Sequence, residues 1–503
     1  MTKRSASFMN KKWISLMILF SVILGCASCG NDEGNPGKGT DSQNPDASVS
    51  GSKTDATEKI NLESSGVEIK DFGGAEFVVL SNNVPNHAHT WKMFDPDELN
   101  ADAMNDAMYN RNKKIEAKYN IEISVVYSSD LKTDLTKSIN SQENTYSTAF
   151  GSMNTLYKLA REGMLLNFFD MTKLDTSAEW WDQSLVEGLT YKNKLYTLTG
   201  DISPALNSRV FTLVFNKDLC ASLGLELPYQ YVLDGTWTID RFNKYISDVN
   251  LDLNGDSQMD FEDRWGFLSE EGCAYMMYFS GGGEVTTMNK SGELEISFNS
   301  ERNVELAAKA LRVATDSSKT LMANPYAKQN NDDWSTVTNW FAGGGALFRS
   351  TALEPVPRDL RSLDVNFGIV PFPKLDEAQK RYYTLPAVDA MVFSVPVSAD
   401  PEFAGLILEA LSAESVSTVS PAFYDLCLDG KAVRDDESMD MLDIIFDSKR
   451  FDFGLINGIG NVTGRLIELE KKGQTDIASS NASALESAAT ELSKLNDQLS
   501  TQD

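Results

Sequence analysis

Histidine is almost missing from this chain: two occur among 503 residues, His87 and His89. A His-x-His pair without further ligands at catalytic spacing reads as a surface loop and gives no basis for a zinc enzyme. Cysteine is nearly as scarce, five in all, and only Cys26 and Cys29 stand at C-x-x-C spacing. A chain this long needs no disulfide framework. Cys220 and Cys427 sit among apolar neighbours and read as buried free thiols. The phosphate-loop pattern G-x-x-x-x-G-K-[ST] and the nucleophile elbow G-x-S-x-G are absent, and Gly343-Gly344-Gly345 lacks the strand-then-helix context of a dinucleotide loop. Positive charge is in deficit: 45 Lys and Arg against 73 Asp and Glu, a formal charge of −28. Such a field repels phosphate backbones and anionic lipid, so nucleic acid is excluded as a partner. Past residue 26 no apolar run reaches the ~18 residues a membrane helix needs.

The N-terminus is the exception to that polarity. Lys3, Arg4, Lys11 and Lys12 precede an apolar run, Trp13 to Leu24, and Ile23-Leu24-Gly25-Cys26 follows as a lipobox. Residues 1–25 therefore read as a lipoprotein signal peptide, with Cys26 lipidated (palmitate-type acylation) and becoming the new N-terminus. The alternatives are an ordinary signal peptide, a short anchor, or lipidation at Cys29. Cys26 has the better residue at −3, Ile23. Cleavage removes four basic and no acidic residues, taking the charge from −28 to −32 and the length to 478. Residues 26–65 carry almost nothing apolar and no aromatic ring. They read as a flexible tether, spanning about 35 Å as a random coil. The expected location is the extracellular face of the cell membrane, with the acyl group as the membrane contact.

Apolar residues make up 42% and aromatics 10%, enough for packed cores, and the mature length suggests two domains of about 200 residues. Ala75 to Leu80 reads as a strand. Leu99 to Tyr119 reads as a helix with Met104, Met108, Ile115 and Tyr119 on one face and Arg111-Asn112-Lys113-Lys114 on the other. Ile121, Ile123, Val125 and Tyr127 alternate as a half-buried strand. That is a βαβ unit with a parallel pairing. Further strands are expected at 146–150, 194–199, 210–215, 346–349, 366–371 and 391–396. Helices are expected near 154–162, 239–249, 300–315, 403–411 and 483–499, the last with Leu485, Ala489, Leu492, Leu495 and Leu499 on one stripe. Strand-like segments return after a helix-rich stretch, so the lobes are expected to be discontinuous: 66–212 with 336–395 as lobe 1, and 213–335 with 396–503 as lobe 2. Two α/β lobes leave a cleft, a favoured ligand site.

Several segments resemble one family. Asp106 to Asn120 (DAMYNRNKKIEAKYN), Lys194 to Ser203 (KLYTLTGDIS), Phe215-Asn216-Lys217-Asp218-Leu219 with Leu223-Gly224-Leu225 and Gly235-Thr236-Trp237-Thr238, Phe367 to Pro373 (FGIVPFP) and Met441 to Asp447 (MLDIIFD) carry the likeness. In order, they resemble ABC-transporter extracellular solute-binding proteins, the family 1 sugar-type lipoproteins of Gram-positive bacteria. The resemblance spans about 66–460. It implies an α/β, two-lobed, periplasmic-binding-protein-like (venus flytrap) fold and a monomeric, non-enzymatic receptor. That receptor would capture a small solute, an oligosaccharide above all, and pass it to ABC permease subunits. No cofactor is required by that reading. A secreted glycoside hydrolase using paired carboxylates and an adhesive surface lipoprotein are the rivals.

Sugars are held by aromatic faces and by polar side chains on their hydroxyls. Trp91, Trp180, Trp181, Trp334 and Trp340 are the aromatic candidates, with Tyr382 and Tyr383, although any one can be core instead. Trp181 is expected to present its ring to ligand. Asp201 and Ser203 precede the expected crossover, where turn or cap duty is the alternative. Asn207, Arg349 and Asp389 follow from the same placement at strand ends. Asp252-x-Asn254-Gly255-Asp256-x-Gln258-x-Asp260-x-x-Asp263 places oxygen ligands at positions 1, 3, 5, 9 and 12 of a calcium-type loop, with Gln258 a further candidate ligand, and with Ser257 and Asp263 departing from the EF-hand it is closer to the dockerin D-x-N-G-D form. A structural calcium is the expectation and a solvated acidic turn the alternative.

Overall fold

Among the described residues, eleven strands run in chain order as β1 Ala75–Asn82, β2 Ile121–Ser128, β3 Thr148–Ser152, β4 Phe211–Asn216, β5 Trp265–Ser269, β6 Thr286–Met288, β7 Leu294–Ile296, β8 Thr320–Met322, β9 Ala346–Ala352, β10 Phe367–Val370 and β11 Met391–Ser394. They belong to a computed structural model that describes residues 60–82, 92–360, 363–428 and 436–500. The signal segment, Cys26, Cys29, His87, His89 and Trp91 lie outside the described residues.

The first sheet has the order β11-β3-β1-β2. β1 runs parallel to β2 in the register Ala75↔Ile121 and parallel to β3, while β11 is antiparallel to β3. The βαβ expectation holds. The intervening helix, Ala103–Tyr119, is capped by Asp102, whose carboxylate accepts from the Asn105 N–H at 2.8 Å, and it stops at Asn120 with φ +49°. Such a stop suits asparagine, which tolerates the left-handed region. Met104, Met108, Ile115 and Tyr119 are buried as their spacing predicts.

Arg111 and Asn112, expected on the solvent face, are buried too. A second helix, Pro401–Ser415, covers that side; it is apolar nearly all round and buried from Ala404 to Ser415. Arg111 donates to the carbonyls of Ile202 and Met93, both at 2.7 Å, and to Ser415 Oγ at 3.2 Å. Burial pulls its guanidinium down to about 9, with the Glu414 charge opposing.

The second sheet has the order β10-β4-β9-β5-β8, with β4 antiparallel to both neighbours and β5 parallel to β8 and β9. β9 and β10, expected in the first lobe with 336–395, hydrogen-bond here. Likewise helix 401–415, expected in the second lobe, packs on helix 103–119 beside the first sheet. Sequence order misassigns these pieces because the chain changes sheets within each expected block. The 194–199 segment is no strand; it pairs only through isolated bridges, Tyr191↔Lys194 and Leu198↔Phe393. In the C-terminal helix, Ile477–Ser500, Ala488 joins Leu492, Leu495 and Leu499 in the buried stripe, while Leu485 is exposed. Cys220, Cys273 and Cys427 are buried free thiols.

Two connections pass between the sheets, one entering β4 and one entering β11. They pair with each other: Phe211 N–H donates to the Leu385 carbonyl at 3.0 Å and Ala387 N–H to the Arg209 carbonyl at 2.9 Å. A third segment joins them, since Leu353 and Glu354 N–H donate to the carbonyls of Val210 and Ser208. Arg209 reaches Glu354 at 3.6 Å and both Asp389 oxygens at 3.0 and 3.1 Å. A further return at Ser448 to Arg450 bonds both backbone faces of Thr384.

Candidate functional site

A cavity of about 360 Å³ opens where these connections meet. Three parts of the chain build it: 179–184, 199–207, and a later part made of helix Val419–Leu428 with the end of helix Asp436–Asp447 and Lys449 just beyond it. Helix 419–428 packs on helix 103–119 of the first layer, whereas helix Asp436–Asp447 packs on β10 of the second. The walls therefore come from both layers.

The floor is a close crossing of two backbones. Asp201 N–H donates to the Trp180 carbonyl and Asp182 N–H to the Thr199 carbonyl, both at 2.9 Å. A Cβ on Gly200 would lie 2.0 Å from that Trp180 oxygen, so only glycine permits the crossing. This geometry aims Asp201 and Asp182 into the cavity. Ser420 Oγ donates to Asp201 Oδ1. Burial pushes the Asp201 carboxyl up to about 6, and the charges of Asp182 and Glu179 add to that against the Ser420 bond and the Lys449 charge. Lys449 sits 2.8 Å from Asp182, both side chains less than a tenth exposed, and donates to Asn207 Oδ1 at 2.6 Å.

Five expected ligand residues meet here: Trp180, Trp181, Asp201, Ser203 and Asn207. Two of them are already committed. Trp181 is 2% exposed, and its ring N–H donates to Glu409 Oε2 at 2.9 Å. Burial pushes the Glu409 carboxyl up to about 7, against the Trp181 bond. Trp181 is thus a core anchor whose edge reaches the wall, which corrects the expectation of a free ligand-facing ring. Ser203, 2% exposed, accepts from Ala205 N–H at 3.1 Å and donates to Met93 Sδ, so it has the cap duty weighed as its alternative.

Trp334, Trp340, Arg349 and Asp389 do not line the cavity. Trp340 packs edge-on to Phe261 in the second layer, which in turn stacks on Tyr326. Trp334 is half-buried in the 334–340 helix. Arg349 lies on β9, central in its sheet, and its guanidinium is spent on Glu270 and Thr338 at 3.0 and 2.9 Å. Asp389 serves Arg209. Sequence reasoning missed Lys449, Ser420, Phe423, Tyr424, Phe446 and Asp447. Tyr424 faces Phe446 edge-on at 5.4 Å. Phe446 and Asp447 lay within a segment already carrying the family resemblance; the others had no local signal.

The calcium-type loop binds itself. Asp252 accepts from Gly255 and Ser257 N–H at 2.6 and 2.9 Å, Asn254 from Asp256 N–H at 2.9 Å, Asp256 from Gln258 N–H at 2.8 Å, and Asp260 from Glu262 N–H at 2.8 Å. Asp263, fully buried, accepts from Leu253 and Asp260 N–H, both at 2.9 Å. The oxygen donors suit a hard cation. Among the described residues, however, no three acidic, imidazole or thiol groups converge on one point.

No curated protein matches the sequence. Solved structures do match its fold. One is the Listeria monocytogenes ABC substrate-binding protein Lmo0181 in complex with cycloalternan, with 15% identity, 85% of this chain and 99% of that one covered, and a TM-score of 0.51. Another is the Rhizobium etli sugar transporter RHE_PF00321 in an open conformation, with 13% identity, 85% and 100% covered, and a TM-score of 0.54. A third is UgpB from Mycobacterium tuberculosis in complex with glycerophosphocholine, with 11% identity, 84% and 99% covered, and a TM-score of 0.53. At these identities the likeness establishes the fold, α/β and two-lobed. Residues 97–404, more than half of the chain, match the family of bacterial extracellular solute-binding proteins. With that match, the two sheets and the cavity at their connections, this chain belongs to the bacterial extracellular solute-binding proteins.

Proposed function

We propose that this chain is the solute receptor of an ABC importer, tethered by an acyl group on Cys26 to the outer face of the cell membrane. It takes a carbohydrate into the 179–207/420–449 cavity and hands it unaltered to permease subunits. The observation that carries this reading is the cavity itself, polar-walled with aromatic edges, placed where the two sheets are joined. Closing one layer on the other around a guest is hinge motion, and the guest must favour the closed state. The fold neighbours from Listeria and Rhizobium, described as cycloalternan-bound and as a sugar transporter, favour carbohydrate within the class. The expected lobe boundaries, with β9 and β10 moved to the second lobe and helix 401–415 to the first, form part of the same reading, as does a monomeric state.

Thermal-shift screening with neutral oligosaccharides tests it, because a ligand that binds only folded protein raises the melting temperature. Shortened products accumulating during incubation would instead support the hydrolase. In Tyr424→Ala, affinity for the best carbohydrate should fall about tenfold through loss of a ring face, with the melting temperature changed by only a few degrees. Unchanged affinity in that variant would move the site elsewhere.

A structural calcium in loop 252–263 is a separate proposal, carried by the D-x-N-G-D pattern. Chelator should lower the melting temperature and added calcium restore it. Superimposable curves, with no metal found in the purified protein, would remove the site.

A further inference from the structure

We propose that the cavity selects carbohydrates bearing a free primary amine over neutral and acidic ones. The proposal rests on the receptor reading above and names the class of its solute. Four carboxylates line the cavity, Glu179, Asp182, Asp201 and Asp447, against one cation, Lys449. That lysine is committed to Asp182 and Asn207. Glu179, Asp201 and Asp447 make no ion pair with any described residue, and Asp201 has only the Ser420 hydroxyl. A uronate or a sugar phosphate would therefore meet like charge with no unpaired cation to receive it.

The aromatic wall strengthens the preference. The Tyr424 hydroxyl lies within the field of Asp201, Asp443 and Asp447. A half-buried ring among carboxylates suits an ammonium group, which packs on the π face and donates charge-assisted bonds to the carboxylates. Trp180 and Phe423, both largely buried, contribute only apolar edges to the wall. Closure would strip water from the surplus negative charge. A neutral sugar leaves that charge uncompensated, whereas an ammonium group balances part of it.

Asp201 supplies a second signature. It faces Asp182 and Glu179 from the 179–184 segment, Lys449 just beyond the 436–447 helix, and Ser420 and Tyr424 from the 419–428 helix. With its carboxyl near 6, it ionises within reach of neutral pH. A guest that stays cationic throughout this range binds the ionised form, so its affinity should fall as the pH drops through about 6. Affinity for a neutral glycan should not fall in that way.

Calorimetry on the full mature protein tests the proposal with three probes of matched length: chitosan oligosaccharide (free amines), chitin oligosaccharide (the same chain N-acetylated) and oligogalacturonate. The expected result is amine binding about tenfold tighter than acetamide, the rough worth of one desolvated cation contact, with no uronate binding. The preference should shrink with salt and largely vanish in Asp201→Asn. The exposed Asp447→Asn provides the same test in a variant whose folding is secure. Equal or weaker binding of the amine form, or a preference unchanged in both variants (diffuse attraction to an acidic surface), overturns the inference and leaves the receptor reading standing. Failure of these probes and of every neutral glycan to bind overturns both.

Discussion

Trp181→Ala should cost about 3–5 kcal/mol of folding free energy, the range for truncating a fully buried large aromatic side chain. The ring is 2% exposed and its N–H is held by Glu409. Removal leaves a cavity beside the Gly200 crossing and takes away the hydrogen bond that opposes desolvation of that carboxyl. Urea unfolding followed by far-UV circular dichroism measures the loss as a lowered midpoint. Trp181→Phe should fall between parent and alanine, since it keeps most of the volume and loses the N–H. A parental midpoint in Trp181→Ala, with carbohydrate affinity gone, would return this residue to the ligand-contact role its place in the sequence suggests.

The fold should be more stable at mildly acidic than at mildly alkaline pH, by on the order of 2–4 kcal/mol. Burial pushes Asp201 up to about 6, and Glu409 and Glu470 each up to about 7. Burial raises Asp452 as well. Each of these groups keeps its proton in the folded chain after the unfolded chain has released it. At pH below the unfolded values, near 4, both states are protonated and no penalty exists. The penalty grows as pH rises from about 4 and is complete above about 7. A tenfold change in proton affinity is worth ~1.4 kcal/mol, so these carboxyls together set a ceiling well above the expected net. Surface carboxylates such as Glu63, lowered by the Lys114 hydrogen bond, act in the opposite direction but are screened. In Glu470, Oε2 accepts from Gly272 and Ala274 N–H while buried Oε1 has no partner among the described residues, a setting that penalises the charged form. Urea midpoints across this pH range, compared with Glu409→Gln, are decisive. Glu409→Gln keeps an acceptor for Trp181 and should flatten the slope. Stability that rises steadily with pH in the parent would contradict this account.

Local pattern carried the first βαβ unit to the level of its elements and their parallel pairing. Ile121 and Ile123 alternate against a helix whose Met104, Met108 and Ile115 share a stripe, and no distant partner is needed to decide either period. The 194–199 segment misled because a run of apolar and β-branched residues says only that a segment is buried: Leu195 to Thr199 are all buried, yet they meet the edge strand β11 only at the single bridge Leu198↔Phe393. Arg111 misled for a related reason: a guanidinium reads as solvent-facing until a second helix, some 300 residues later, arrives with its own apolar surface. At the site, Asp201 was legible because glycine and turn chemistry mark the floor locally. Lys449 and Tyr424 were not, since the chain brings them in from more than 200 residues away. Arg349 failed because strand-end logic assumes an outward tip, whereas β9 lies in mid-sheet and its arginine is consumed by Glu270.

Arg209 knots three straps at one point, its own connection into β4, Glu354 and Asp389. Loosening any one of these connections would strip the guanidinium of a contact that it holds at the same time as the others, so a single side chain ties the three together.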